Sequence, residues 1–311
     1  MSGKTLRLLR VGITVADLPR AQAFYQEALG FAPSSAAIET DGAWTRLLDA
    51  ATVRTARLRL GAQEIELSAF DPPGQPYPAG STAADLWFQH IAVVTNDMAA
   101  AYDRVRRHGG ATPITEGGPQ RLPPEAGGVT AYKFRDPEGH PVELIYFPPG
   151  TGDAAWQDAA PGSVTLGYDH SAISVADADR SVAFYAGLLG MAQASRQVNS
   201  GPAQERLDGL QGDVVDVVAL RPAAAATPHV ELLAYRTPRG RPAPGLRSRD
   251  VAAARLVLEV EDLPGLVEAL TEAGAAVAEG GLVPLADGSR AALVHDPDRH
   301  ALVLIEGAAR A

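Results

Sequence analysis

The chain contains no cysteine, and this absence excludes several kinds of chemistry at once. Disulfide bonds, thiolate zinc sites, iron–sulfur clusters and a cysteine nucleophile all need a thiol. Any metal ion would therefore have to be held by histidine, aspartate or glutamate. Positive charge is also scarce, because 27 lysines and arginines stand against 37 acidic residues, a net charge of −10. Nucleic acids and anionic membranes bind clustered positive charge, so we expect neither as a partner.

Long hydrophobic runs are missing as well. No stretch approaches the roughly 18 apolar residues of a membrane-spanning helix, and the first residues lack the apolar segment and cleavage site of a secretory signal. These absences predict a cytoplasmic protein. Hydrophobic residues nevertheless make up 46% of the 311 residues. A chain of this length and composition predicts two domains of roughly 150 residues, each with its own core.

Internal repeats dominate the organisation of the chain. RVGITVADLPRAQAFYQEALGF, which begins at Arg10, aligns with HSAISVADADRSVAFYAGLLGM, which begins at His170, at an offset of 160 residues. Both segments predict a short strand, an Asp turn, an amphipathic helix with a Phe-Tyr pair, and a glycine stop. A second pair of segments, beginning at His90 and at Arg255, repeats this order at an offset of 165 residues.

Each repeat ends in alternating strands. FRDPEGHPVELIYF (134–147) and VHDPDRHALVLIEG (294–307) predict hairpins around an Asp-Pro turn, while EIELSAF (64–70) and HVELLAY (229–235) predict terminal strands. The expected fold class is therefore α+β. The four βαβββ modules lie at about 7–70, 86–147, 166–235 and 253–306. A linker rich in Pro, Gly and Ala at 148–165 predicts domains at 1–150 and 151–311, with two modules each. A single module cannot bury its apolar sheet face alone, so modules must pair.

The strand-Asp-helix opening with its FY-x3-LG ending, together with the DPEGHPVEL hairpin, resembles the vicinal oxygen chelate superfamily. This superfamily includes glyoxalase I, extradiol ring-cleaving dioxygenases, an epimerase, and antibiotic-binding proteins of the bleomycin-resistance type. The resemblance covers nearly the whole chain. It implies tandem glyoxalase-like domains in which paired modules form two cups. It does not select a reaction, because function depends on the site and not on the fold.

In that superfamily the first strand of each module offers one metal ligand, and the last strand offers another, usually Glu. The matching positions in modules 1 to 4 are Arg10 and Glu66, His90 and Glu143, His170 and Glu231, and Arg255 and Val303. Sequential pairing of the modules would place an arginine in each cup, and a guanidinium cannot coordinate a metal. Pairing module 2 with module 3 instead collects His90, Glu143, His170 and Glu231 in one cup.

We predict this crossed pairing, because it assembles one complete site of two histidines and two glutamates. Two carboxylates would neutralise a divalent ion, which a partly buried site tolerates. Histidine and carboxylate ligands suit zinc, nickel, cobalt, manganese or ferrous iron. The other cup would contain Arg10, Glu66, Arg255 and Val303. There we expect Arg10 or Arg255 to neutralise Glu66 and to leave that cup structural.

Four further polar residues have simpler expected roles. His229 lies two residues before Glu231, and we expect it at the surface, where the strand starts, although it could also support the site. Lys133 is expected to face solvent, although it could also reach the mouth of the cup. His140 and His300 follow the two Asp-Pro turns and are expected to be turn residues.

The resemblance implies a metal-dependent, glyoxalase I-like isomerase, epimerase or lyase for a small oxygen-chelating substrate, with Glu231 or Glu143 as the general base. An extradiol dioxygenase is the first alternative, because it needs only two histidines and one carboxylate, which His90, Glu143 and His170 would supply. A non-enzymatic binding protein of the antibiotic-sequestering type is the second. The expected partner is a small-molecule substrate, selected by the loops at 111–130 and 192–215. The chain is expected to be a monomer with internal pseudo-symmetry or a homodimer.

Overall fold

The computed structural model describes residues 4–35, 38–39, 42–157 and 162–307. Its strands are β1 Thr5–Thr14, β2 Ala32–Pro33, β3 Ile38–Glu39, β4 Thr52–Leu60, β5 Gln63–Asp71, β6 Gln89–Thr95, β7 Thr112–Pro113, β8 Gln120–Arg121, β9 Thr130–Arg135, β10 Pro141–Tyr146, β11 Thr165–Ser174, β12 Ala192–Ser200, β13 Val214–Arg221, β14 His229–Thr237, β15 Arg255–Val260, β16 Ala276–Val277, β17 Val283–Pro284, β18 Arg290–His295 and β19 Ala301–Glu306.

The helices are short and lie between these strands. They are α1 Leu18–Glu27, α2 Gly42–Leu47, α3 Met98–His108, α4 Ala178–Val182, α5 Pro202–Asp208 and α6 Leu263–Glu272. Helix α4 continues as a π-helix over Ala183–Leu188, and single 3-10 turns occur at Pro124–Ala126 and Ala154–Trp156. No described helix combines the length and the apolar character that crossing a membrane requires.

The strands form two large sheets, and each sheet combines modules from both halves of the chain. In the first, modules 1 and 4 join in the order β16-β18-β19-β15-β1-β5-β4-β2, with β17 beside β18 and β3 beside β4. In the second, modules 2 and 3 join in the order β12-β13-β14-β11-β6-β10-β9-β7, with β8 beside β9. Both central contacts, β1 with β15 and β6 with β11, are antiparallel. The crossed pairing predicted from the sequence is thereby confirmed.

The four repeated aspartates begin the four principal helices. Asp17, Asp97, Asp177 and Asp262 each accept a hydrogen bond from the backbone N–H three residues later. An aspartate in this position satisfies a helix N–H that would otherwise have no partner, which is worth about 1 kcal/mol. The Leu-Gly ending also acts as expected, because Gly30 adopts a φ of 82° after α1.

The tyrosine of each repeated Phe-Tyr pair takes part in a set of hydrogen bonds between modules that occurs once in each half of the chain. Tyr25 Oη donates to Asp136 Oδ2 at 3.3 Å, and His140, in the same Asp-Pro turn, donates from Nε2 to the Thr14 carbonyl at 2.9 Å. The second half repeats these hydrogen bonds: Tyr185 donates to Asp296 at 3.2 Å, and His300 donates to the Ser174 carbonyl at 2.8 Å. His140 and His300 are turn residues as expected, but they are buried and join one module to another.

One apolar core supports both sheets. It includes side chains of all four modules, among them Phe24, Leu144, Tyr185 and Leu302, none more than 1% exposed. Burying a side chain of this size contributes about 1.5–3 kcal/mol relative to leaving it exposed. Because the helices and one face of each sheet share this core, the opposite faces are left to form the two cups.

Candidate metal centre

The four predicted ligand positions of modules 2 and 3 lie on neighbouring strands of one cup. His90 on β6 and His170 on β11 stand near the antiparallel contact of the two modules, where a register shift occurs between Tyr168 and Ser171. Glu143 on β10 is paired with Ala92 on β6, and Glu231 on β14 is paired with Ala172 on β11. The strands therefore bring together residues 141 positions apart in the chain, from His90 to Glu231.

The distances between these side chains are short. His90 Nε2 lies 2.8 Å from Glu143 Oε2, and His170 Nε2 lies 3.9 Å from the same oxygen and 3.4 Å from Glu231 Oε2. Ligand atoms of His90, Glu143 and His170 all lie within 4.8 Å of one another. Glu231 is beside this group but not a member of it. One ion with nitrogen and oxygen ligands at about 2.0–2.2 Å could bridge such a set.

The hydrogen bonding of His90 leaves both of its ring nitrogens available to a cation. Both ring nitrogens of His90 are buried without a hydrogen-bond partner among the described residues, since Glu143 approaches Nε2 outside hydrogen-bond geometry. A buried polar atom without a partner costs about 1–3 kcal/mol. Burial lowers the pKa of His90, because Glu143 does not outweigh the loss of solvent. A neutral imidazole with a free nitrogen is the form that binds metals.

At His170, in contrast to His90, the neighbouring charges raise the pKa of the imidazole. Burial acts to lower the pKa of His170, but Glu231, Asp169 and Glu143 together raise it to about 9. Burial acts to raise the pKa of Glu231, but His170 and His229 lower it to about 2. Several carboxylates therefore surround one imidazole, and this concentration of negative charge favours a cation in the cup.

His229 is closer to the site than the sequence suggested. Only 7% of it is exposed, so the expected surface position is wrong. Its Nε2 lies 3.5 Å from Glu231 Oε1, and its Nδ1 lies 3.6 Å from Asp169 Oδ2. Asp169, His170 and His229 form a second group with ligand atoms within 4.8 Å of one another. The inward position of His229 could have been predicted from the sequence, because His229 is two residues from Glu231 and therefore on the same strand face.

Lys133 is likewise buried, and the expectation that it faces solvent is wrong. Only 4% of the residue is exposed, and its Nζ lies 2.6 Å from Asp208 Oδ1. Asp208 also accepts hydrogen bonds from Gln204 and from Tyr235. Burial lowers the pKa of a lysine, but here Asp208 and Glu143 raise the pKa of Lys133 overall. The register across the Asp-Pro hairpin, which pairs Lys133 with Glu143, was the available sequence signal.

A cavity of about 190 Å³ opens above these residues. Its walls include Leu122, Ala126 and Val129 from the first predicted substrate loop, and Gln197, Asn199, Gln204 and Leu207 from the second. Asn199 Oδ1 and Gln204 Oε1 are buried without a hydrogen-bond partner among the described residues. The cavity thus combines an acidic floor, apolar walls and two unused amide acceptors, which is the usual construction of a small-molecule site.

The cup of modules 1 and 4 has a different content. Arg10 Nε lies 3.0 Å from Glu66 Oε2, and Arg57 Nε lies 3.3 Å from the same oxygen. Burial acts to raise the pKa of Glu66, but Arg10, Arg255 and Arg57 lower it. As expected, guanidinium groups neutralise Glu66 where the other cup presents histidines. We call the cup of modules 1 and 4, which contains Arg10, Arg57, Glu66 and Arg255, the arginine cup.

The arginine cup is largely filled by apolar side chains. Val303, at the fourth ligand position, packs with Val257, Leu293 and Ile305, and with Leu47 of α2. Arg255 donates hydrogen bonds to Thr14 Oγ1 and to Ser68 Oγ. A Cβ on Gly12 would lie 2.7 Å from Arg255 Cγ and Nε, so glycine is needed where the arginine crosses β1. Helix α2, which has no counterpart in the sequence prediction, helps to close this cup.

Comparisons with known proteins agree with this architecture. Two family models match, one over residues 7–144 and one over residues 169–293, and both describe the Glyoxalase/Bleomycin resistance protein/Dioxygenase superfamily. Glyoxalase I from Zea mays is similar over 98% of this chain and 92% of its own, with 18% identity and a TM-score of 0.63. A dioxygenase candidate from Bacillus subtilis is similar over 97% of this chain and 86% of its own, with 14% identity and a TM-score of 0.60. A comparison with curated proteins gives no match.

Two cups of paired βαβββ modules, one of them lined by histidine and glutamate from two modules, define a tandem vicinal-oxygen-chelate fold. The chain belongs to the Glyoxalase/Bleomycin resistance protein/Dioxygenase superfamily, which confirms the resemblance in the sequence. Identities of 14–18% to the solved structures support a shared fold, and the reaction has to be argued from the site itself.

Proposed function

We propose that the protein is a metal-dependent enzyme of the glyoxalase I type, an isomerase, epimerase or lyase for a small oxygen-chelating substrate. The observation that carries the proposal is the convergence of His90, Glu143 and His170 in one buried cavity, with Glu231 3.4 Å from His170. Either half of the chain alone has only two of these four residues. A set that only the folded whole completes is better explained by a site than by four separate structural roles.

The residues present fit a divalent cation. His90, Glu143 and His170 would hold the ion, and Glu231 is placed to complete the set. When bound, such an ion supplies a Lewis acid that stabilises negative charge on a substrate oxygen. Zinc, nickel, cobalt, manganese and ferrous iron all accept these ligands.

The chain's own residues would bind the substrate and move a proton. Glu231, whose side chain is 21% exposed towards the cavity, is available as the general base for a proton on carbon next to a carbonyl group. The buried ammonium of Lys133 lines the same cavity and would favour an anionic form of the substrate. Asn199 and Gln204 would accept hydrogen bonds from substrate hydroxyl groups. A cavity of about 190 Å³ lies below the roughly 300–1,000 Å³ of sites for drug-sized ligands, which supports a compact substrate.

An extradiol ring-cleaving dioxygenase is the alternative that a specific observation favours. His90, Glu143 and His170 form a group of two histidines and one carboxylate within 4.8 Å, and Glu231 lies outside it. Two histidines and one carboxylate on one face of a ferrous ion leave positions for a catechol and for dioxygen. In this alternative Glu231 would not be required for chemistry.

Metal content of the purified protein tests the proposed site. Elemental analysis should find about one divalent ion per chain in the wild type, and a loss of most of it in His90→Ala and His170→Ala. Loss of even a residue that only hydrogen-bonds to a ligand weakens metal affinity by ~10–100-fold, and loss of a ligand itself should weaken it further. His108→Ala, at the partly buried C-terminal end of α3 and outside the cavity, is the matched control and should retain the ion. A wild-type protein that binds none of the five metals would contradict an enzyme of this type and favour the non-enzymatic binding protein.

Glu231→Gln separates the two reactions. A base for proton abstraction is expected to contribute a rate factor of ~10²–10⁴, so an isomerase should lose about this much of kcat. A dioxygenase should keep most of its oxygen consumption with catechols, measured with an oxygen electrode on the ferrous protein. Oxygen consumption retained in Glu231→Gln would replace the isomerase proposal by the dioxygenase.

A further inference from the structure

A second groove lies at the mouth of the arginine cup. It has a volume of about 540 Å³ and is formed by the end of α2 (46–49), the connection at 246–249, the segment 278–280, and the turn between β18 and β19. Leu47 and Leu293 form part of its floor, and both belong to the apolar cluster that fills the arginine cup. The groove shares no lining residue with the cavity of the candidate metal centre.

Four arginines line this groove, which is unusual in a chain with a net charge of −10. They are Arg46, Arg247, Arg249 and Arg299. The ion pairs of the other arginines are formed elsewhere, and among the described residues none of these four is within salt-bridge distance of a carboxylate. Two carboxylates, Asp49 and Glu279, also line the groove and leave the guanidinium groups in excess. Unpaired guanidinium groups around one concave surface produce a local positive potential.

The backbone at Arg299 indicates that this side chain is held at some cost. Arg299 has a φ of 76°, in the left-handed region that favours glycine, and the matching residue of the other Asp-Pro hairpin is Gly139, with a φ of 101°. This conformation is unfavourable for any residue that carries a Cβ. Strain of this kind persists where the surrounding structure enforces it and is concentrated at binding sites.

A buried arginine lies next to the groove. Arg255 lines a small recess that shares Leu246, Arg247 and His295 with the groove. Only 1% of Arg255 is exposed, and its Nε is buried without a hydrogen-bond partner among the described residues. Burial lowers the pKa of Arg255 to about 10, against the attraction of Glu66, so its charge is retained at neutral pH. Its Nε packs against Gly12 of β1, so Arg255 contributes positive charge next to the groove and no hydrogen bond to an anion bound there.

We propose that this groove, which we call the arginine groove, binds a small polyvalent anion carrying phosphate groups or several carboxylates. Guanidinium groups bind phosphate and carboxylate through two parallel hydrogen bonds, so four of them match an anion with at least two acidic groups. The volume lies within the roughly 300–1,000 Å³ of small-molecule sites. The arginine groove would therefore be a second ligand site, with a charge preference opposite to that of the metal centre.

Titration calorimetry with pyrophosphate and with citrate tests the proposal and separates the two anion chemistries. At low salt, one of these probes should bind with one anion per chain. Arg247→Ala and Arg299→Gly should each weaken binding about tenfold or more, as expected for the loss of a charge-assisted hydrogen bond of about 1.5 kcal/mol. Arg121→Ala, an exposed arginine of β8 outside the groove, is the matched control and should bind as the wild type does.

Two further measurements test whether the anion binds at the arginine groove and not elsewhere on the protein. Both probes chelate metals, so the titration is repeated in His90→Ala, where binding at the arginine groove should be unchanged. Arg299→Gly relieves the left-handed strain, so its melting temperature should be no lower than that of the wild type while its affinity falls. Failure of both probes to bind, binding lost in His90→Ala, or affinities within twofold of wild type in both arginine variants would each overturn the proposal.

Discussion

At the scale of single residues, the ion pair of Lys133 and Asp208 is the feature that sequence reasoning missed most clearly. The inward orientation of Lys133 could have been predicted, because Lys133 pairs with Glu143 across the hairpin. The burial of Asp208 could not, because Asp208 is 75 residues away on α5 and nothing in its local pattern indicates burial. The ligand positions themselves followed from strand alternation and the repeat offset, but a partner from another module requires the tertiary structure.

We expect Lys133→Met to destabilise the protein by about 3–5 kcal/mol, because it leaves the Asp208 carboxylate buried without its cation. The free energy of unfolding in urea measures this loss. The double variant Lys133→Met/Asp208→Asn should recover part of it, since the buried charge is then removed as well. A single variant within about 1 kcal/mol of the wild type would show that the ion pair has little energetic importance.

At the scale of elements, the Asp-Pro hairpins show what a motif predicts and what it leaves open. The DPEGH and DPDRH sequences predicted the two turns correctly. They did not reveal that His140 reaches both the Thr14 and the Val251 carbonyl groups, each at 2.9 Å, and so connects the hairpin of module 2 to residues beside the other sheet. The six-residue helix α2 was also unpredicted, because so short a segment has no measurable helical periodicity.

The pair of His140 and Asp136 predicts a defined dependence of stability on pH. Burial acts to lower the pKa of His140, but Asp136 raises it above 6.5, and burial acts to raise the pKa of Asp136, but His140 lowers it below 3.8. A raised histidine pKa contributes stability that is complete below about pH 6.5 and is lost as pH rises through the folded-state value. A lowered aspartate pKa contributes stability above about pH 3.8 that is lost as pH falls.

We therefore expect the loss of stability in His140→Asn to be largest between about pH 4 and pH 6.5 and to shrink towards alkaline pH. Thermal or urea unfolding of wild type and variant across this range measures the difference. In the Asp136→Asn background the His140→Asn change should lose this pH dependence. A difference that stays constant from pH 5 to pH 9 would mean that the imidazole acts only as a neutral hydrogen-bond donor.

At the scale of the whole molecule, the crossed pairing could be predicted because only one arrangement completes a set of two histidines and two glutamates. Periodicity and turn signals located the modules to within a few residues of the observed strands, as for 166–235 against Thr165–Thr237. Those signals are local, and they contain no information on which modules adjoin. The arginine groove was not predictable, because its walls come from segments far apart in the chain.

Because each sheet takes a module from each half, neither half should be stable alone. Residues 1–157, expressed without the rest, leave β1 and β6 without their neighbours β15 and β11, and unpaired central strands favour association. We expect circular dichroism and size exclusion to show an unstable or oligomeric fragment, and mixing it with 158–311 to restore both fold and metal binding. A chain cleaved in place at 150–152 is the control and should remain assembled. A fragment 1–157 that is a folded monomer with the melting temperature of the intact chain would contradict this prediction.

The tandem arrangement has a consequence for inheritance. In a symmetric dimer of half-length chains every substitution appears in both cups, so neither can change its ligands without the other. In this chain, Arg255 occupies the position that corresponds to His90, and Arg10 the position that corresponds to His170, and each exchange alters one cup alone. Because both halves belong to one polypeptide, the two cups can be substituted independently. One cup can therefore acquire a new ligand chemistry while the other keeps the original one.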